Sequence, residues 1–241
     1  MLLYLPLYIG KTFLIHILAA ILPAIFLLRY IYKHDTVEKE PPKLLWSLLL
    51  AGVASALCSI VLEMIGGEIL NNNISQNSPY YIFTLAFLVV AVVEEGTKMF
   101  FLKRRTWRDE NFSHLFDGVV YAAFVSLGFA AFENIKYVFS YGLMVAVTRA
   151  FSAVPAHLGF SVFMGVFYSR AKLCENQGDM QGKRWNLVAA YTSAVVLHGF
   201  YDVCAMMGTN TSTIVFLIFI AVMYVIVHKL VKKSSAQDRE I

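Results

Sequence analysis

The chain has 241 residues, 59% of them hydrophobic and 15% charged, with a formal net charge of +4. A soluble domain carries about 25% charged residues, so this balance excludes an ordinary soluble enzyme and points to a polytopic membrane protein. The positive charge gathers at the ends of apolar segments rather than along one face, which argues against a nucleic-acid partner. Cys58, Cys174 and Cys204 show no CxxC pairing, which argues against a disulfide framework or a structural zinc site.

The amino-terminal apolar run, Thr12 to Leu28, has no early basic region before it and is followed by Arg29 and Lys33. Positive charge after the run marks a retained helix rather than a cleaved signal peptide. A membrane-crossing helix needs about 20 mainly apolar residues. Seven segments meet that length, roughly 12–31, 44–66, 80–102, 115–139, 143–169, 186–207 and 211–231. Polar or turn-forming runs separate them, among them Asn71-Asn72-Asn73, Gln76 to Pro79, Asn176 to Asp179 and Gly208-Thr209-Asn210. The expected fold class is an all-α bundle of seven transmembrane helices, one integral membrane domain over 1–241. Internal repeats, low-complexity tracts and a separate soluble domain are not apparent.

The basic residues alternate by segment. After the first, third, fifth and seventh segments lie 17 of the 20, leaving only Lys11, Lys136 and Arg149 opposite. The positive-inside rule then puts the amino terminus outside and the carboxyl terminus in the cytoplasm.

The third segment carries Glu94-Glu95-Gly96-Thr97-Lys98 inside an otherwise apolar run. A carboxylate near the bilayer centre costs roughly 2.5–3.5 kcal/mol on the translocon scale, so two in succession require a compensating role. Further polar outliers are Glu133 with Asn134, His157, and His198 with Asp202. At about 1.5 Å of rise per residue all of them fall within one broad layer, Glu133 and Asp202 lying outward of the histidines. Glu94 and Lys98 form an i, i+4 pair with the acid on the amino side, while Glu95 points about 100° away. One carboxylate would face a site and the other would be held by Lys98. His198 and Asp202 are also i, i+4, so the Asp can orient the imidazole or share a ligand with it. Gly96, Gly128 and Gly199 are small residues that allow helices to approach closely. Asp117 and Gly118 read as cap and interface, and Arg149 as a snorkelling residue or the partner of an acid. His16, His34, His114 and His228 receive no role. Taken one at a time, most of these groups have structural readings: an ion pair, a helix-helix hydrogen bond, a packed histidine. Several in separate segments at similar depth favour a site.

At these motifs the chain resembles the PrsW family of membrane proteases, related to the CAAX-processing superfamily. The EExxK motif matches Glu94 to Lys98, FxxxE matches Phe129 to Glu133, and histidine motifs match Pro155-Ala156-His157 and His198-Gly199-Phe200-Tyr201-Asp202. Tyr30 to Asp35 leading to Glu40-Pro41 is similar to the family's linker, and the resemblance spans about residues 12 to 204. It implies a bacterial plasma-membrane peptidase whose substrate is a single-span protein such as an anti-sigma factor, clipped on its outward side to free a sigma factor under stress. The implied catalytic set is Glu94, Glu95, Glu133, His157 and His198, supported by Lys98, Asn134 and Asp202. A desolvated carboxylate, Glu94 or Glu95, would act as general base toward water, and the histidines would donate to the oxyanion. Alternatively His157, His198 and a carboxylate such as Asp202 would ligate zinc with one open position. No HExxH helix is present, and the relatives favour a metal-free mechanism. A proton- or ion-coupled carrier and a non-catalytic scaffold remain the rival classes. No two-fold repeat supports the carrier.

Overall fold

The computed structural model describes the backbone of residues 5–241 and side chains from residue 10 onward. It is helical almost throughout. Helices α1 (Leu5–His34) and α2 (Pro42–Asn73) are followed by a rod made of α3 (Tyr81–Thr84), a π-helical segment (Leu85–Ala91) and α4 (Val92–Thr106). Then come α5 (Asp117–Tyr141), α6 (Leu143–Phe151), α7 (Ala153–Asn176), α8 (Met180–Met206) and α9 (Asn210–Ala236).

Among the described residues, six helical stretches are individually long and apolar enough to cross a membrane. The third predicted segment takes a different form. Its rod is continuous, because the residues at both junctions keep right-handed helical dihedrals, and spans roughly 35–40 Å. The π-helical turn divides it, and its second half carries Glu94, Glu95, Lys98 and a basic end. The fifth predicted segment also departs from a plain rod. It breaks at Ser152, where φ is −122° and ψ −78°, separating a short α6 from α7. Pro155 then falls in the first turn of α7, where a missing N–H costs nothing. Asn71 to Asn73, expected as loop, complete the last turn of α2.

α5 is the central element. Every residue from Asp117 to Ala130 is buried, whereas α1 and α9 are mostly exposed along their apolar flanks. Glycines set the crossings around it. A Cβ on Gly52 of α2 would lie 2.0 Å from the Val125 carbonyl oxygen, and one on Gly128 2.4 Å from that of Leu49. On the α7 side, a Cβ on Gly165 would lie 2.5 Å from the Gly118 carbonyl oxygen. Such close crossings are the small-residue packing that membrane helices use in place of a hydrophobic drive.

Candidate active site

The π-helical segment ends three residues before Glu94. Such one-turn insertions rotate the helix beyond them and recur at functional sites. Here the turn is held from α8: the Tyr191 hydroxyl donates to the Val92 carbonyl at 2.9 Å, and Phe87 fills the space over Gly199. Ser59 of α2 and Thr97 hydrogen-bond at 2.7 Å, fixing α4 from the other side.

At the centre lies the Lys98 ammonium. It donates to Glu94 Oε2 at 3.1 Å and Glu95 Oε1 at 2.8 Å, stands 3.3 Å from His157 Nδ1 and sits 3.9 Å from the Phe129 ring centroid. The i, i+4 pairing read from the sequence is present, but Lys98 holds both carboxylates rather than one. His198 Nδ1 donates to Glu95 Oε1 at 2.8 Å, while its Nε2 faces Asp202 Oδ2 at 3.4 Å and Glu94 Oε2 at 3.9 Å. His157 Nε2 meets Glu133 Oε2 at 3.1 Å. Because a carboxylate only accepts, this contact places the His157 proton on Nε2 and leaves Nδ1 to accept from Lys98.

Arg149 completes the arrangement. It reaches Glu133 Oε2 at 2.6 Å and Asn134 Oδ1 at 2.9 Å, so of its two expected roles it takes the partner of an acid. Asn134 in turn donates to the Ala20 carbonyl at 2.7 Å, tying α1 to the site. The structure thus brings Glu94, Glu95, Lys98, Glu133, Asn134, His157, His198 and Asp202, from four helices, into one connected network, with Arg149 of α6 joining from a fifth. Gly128 and Gly199 lie at tight contacts, whereas Gly96 meets only ordinary contact with Tyr191. Asp117, expected as a cap, accepts from Ser113 N and His114 N in the turn before α5. His16, His34, His114 and His228 lie outside the network.

A cavity of about 140 Å³ opens beside this network. Glu94, Glu133, His157, His198 and Asp202 line it, and Glu95 and Lys98 do not. Glu63 of α2, Lys136 and Tyr201 also line it, and none of the three was expected at the site from the sequence. For Glu63 a signal existed: it is the first charge after Lys43, inside the second apolar segment.

The model of the PrsW family intramembrane metalloprotease matches residues 40–228. The chain belongs to that family. It is 31% identical to Protease PrsW of Oceanobacillus iheyensis over 217 residues, covering 90% of this chain and 94% of the relative. Protease PrsW of Clostridioides difficile is 28% identical over 211 residues, 86% of each. The Bacillus subtilis Protease PrsW is 31% identical over 184 residues, 76% of this chain and 79% of the relative. No solved structure matches. This PrsW-family chain is therefore a multi-pass membrane peptidase, with bacterial relatives.

The family description as a metalloprotease poses a question that the donor set can answer in part. One ligand atom from each of Glu94, Glu95, His157 and His198 lies within 4.8 Å of the others. Two carboxylates and two imidazoles are ligands suited to zinc, and Glu95 Oε2 is buried without a hydrogen-bond partner. The residues fit a metal. Asp202, a ligand candidate from sequence, is outside this set of four. Three of the four donors are meanwhile turned to Lys98, and a dication and the ammonium cannot share the same lone pairs.

Proposed function

We propose that the chain hydrolyses a peptide bond of a single-span, membrane-anchored protein of the anti-sigma-factor type, with Glu94 as the base. The observation that carries this reading is the division of the glutamate pair. Glu94 lines the cavity, whereas Glu95 is wholly buried behind it between Lys98 and His198.

Glu94 takes a proton from a water molecule as the water oxygen adds to the scissile carbonyl carbon. The protonated Glu94 then delivers that proton to the amide nitrogen as the C–N bond breaks. His198, anchored on Glu95 through Nδ1, presents Nε2 to the cavity, where a ring N–H steadies the oxyanion. Asp202 faces the same nitrogen and orients the ring. His157 has both ring nitrogens engaged, on Glu133 and Lys98, so it serves as a positioning residue. Glu133, held by Arg149, which Asn134 steadies, fixes His157 in turn. A zinc ion held by three of the four clustered donors would supply Lewis-acid activation of water or carbonyl.

The distribution of basic residues supports an outside amino terminus and a cytoplasmic carboxyl terminus. The decisive experiment places Glu94→Gln and Glu95→Gln separately in proteoliposomes with a membrane-anchored anti-sigma factor. Glu94→Gln should stay folded and lose at least about 10²-fold in cleavage rate, as expected for removal of a general base. Cleavage by folded Glu94→Gln at the wild-type rate would sink the assignment.

A further inference from the structure

A second concavity lies on the lipid-facing side, between α1 and α2 with α5 as its floor. It is about 950 Å³ and almost entirely apolar, floored by Phe124, Leu127 and Ala131. Close contact between Gly128 and the Leu49 backbone closes it underneath, and it shares no lining residue with the catalytic cavity. Its long axis runs from Ile21 to Lys33 along α1, about 18 Å at helical rise.

One end differs from the rest. Arg29 and Lys33, an i, i+4 pair, line the groove there together with Tyr32. Arg29, Tyr32 and Lys33 are exposed, and no carboxylate among the described residues forms an ion pair with either cation. Trp46, 67% exposed, stands on the facing wall. Unpaired cations and amphipathic aromatics at one end of an apolar groove are the chemistry of a headgroup boundary. A phospholipid joins in one molecule the hydrocarbon that an apolar groove takes up and the anion that two cations attract. Acyl chains fit the space and an anionic phosphodiester fits the cations.

We propose that this groove is a binding site for an anionic phospholipid, its acyl chains along α1 and α2 and its phosphate between Arg29 and Lys33. The proposal is independent of the catalytic reading. To test it, the full chain is reconstituted in nanodiscs of equal phosphatidylglycerol and phosphatidylcholine, extracted gently, and its retained lipid is weighed by native mass spectrometry. Wild type should retain phosphatidylglycerol several-fold over phosphatidylcholine. Arg29→Gln/Lys33→Gln, at exposed positions and with an unchanged melting temperature, should retain the two equally. Equal retention by wild type, or selectivity surviving in the double variant, would overturn the proposal. So would a hydrophobic single-span peptide bound in place of phosphatidylglycerol, which would assign the groove to a helix. Soluble glycerol phosphate should not displace the lipid; if it did, the site would be a phosphate site alone.

Discussion

An ammonium buried among two carboxylates and an imidazole sets both the charge and the shape of this site. Lys98 is 2% exposed and Glu95 fully buried, so their attraction is little screened by solvent. Breaking such a pair by removing one partner costs about 3–5 kcal/mol, because the other charge is left buried and alone. Lys98→Met should therefore melt well below wild type in the presence of a chelator. Zinc should then raise the melting temperature of the variant more than that of wild type, since Glu94, Glu95 and His157 are freed from the competing cation. Equal zinc shifts in the two proteins would show that the ammonium does not compete with metal. At this scale much was legible: an i, i+4 acid and base in an apolar run announce their own pairing. What the sequence withheld was facing. Spacing places Glu94 and Glu95 about 100° apart, yet only the packed helices show which one reaches the cavity. Glu63 was missed for a related reason: its charge inside the second apolar segment was visible, but its place at the cavity shows only when α2 is docked.

Helices α5 and α7 carry Glu133 and His157, so their crossing fixes the 3.1 Å contact between those side chains. That crossing is further pinned where the Ser126 hydroxyl donates to the His157 carbonyl at 2.9 Å. A Cβ at Gly165 would fall 2.5 Å from the Gly118 carbonyl oxygen and 2.6 Å from the Val119 Cα. Those are backbone atoms, which cannot swing aside. Gly165→Ala should cost about 1–3 kcal/mol through overpacking, and it should lower cleavage by spreading the two helices. Gly67→Ala is the control. Nothing lies within 4 Å of its Cβ position, so the gain in helix propensity should leave stability equal or slightly raised. Thermal unfolding in detergent distinguishes them, and equal melting temperatures for the two variants would refute the crossing argument. Elements of this kind were only partly visible in the sequence. Apolar run length reveals that a helix crosses, and the structure retains nearly all the expected segments. It does not reveal a π-helical turn at Leu85–Ala91 or the break at Ser152, because both alter backbone register without altering composition.

Across the whole molecule, the loops at the basic ends of the helices and the carboxyl-terminal tail are sewn into one junction. Leu115 N donates to the Arg239 carbonyl at 3.0 Å and Ile241 N to that of Ser113 at 2.9 Å. The Asp238 carboxylate accepts from Phe116 N at 2.8 Å. Beneath them Glu40 and Asp35 are buried in the loop between α1 and α2. Glu40 Oε1 accepts from the Tyr121 hydroxyl at 2.9 Å. Burial, and then the nearby Asp117 charge, push the Glu40 carboxyl up to about 9. Burial likewise raises Asp35 to about 6, with Lys39 opposing. A raised carboxyl means that the folded chain holds its proton more tightly than the unfolded chain. Below about pH 3 both states are protonated and the two groups add no pH dependence. As pH climbs from 4.5 toward 9 the unfolded chain releases the Glu40 proton first, so stability falls across that window. Asp35 adds to the slope only in its lower part, up to about pH 6. The melting temperature of the wild-type chain in detergent should therefore decline between about pH 5 and pH 9. Glu40→Gln keeps an acceptor for Tyr121 and has no proton to lose, so its decline should be shallower, with a crossover to greater stability than wild type near the alkaline end. Parallel curves for the two proteins would place the pH dependence elsewhere than at Glu40.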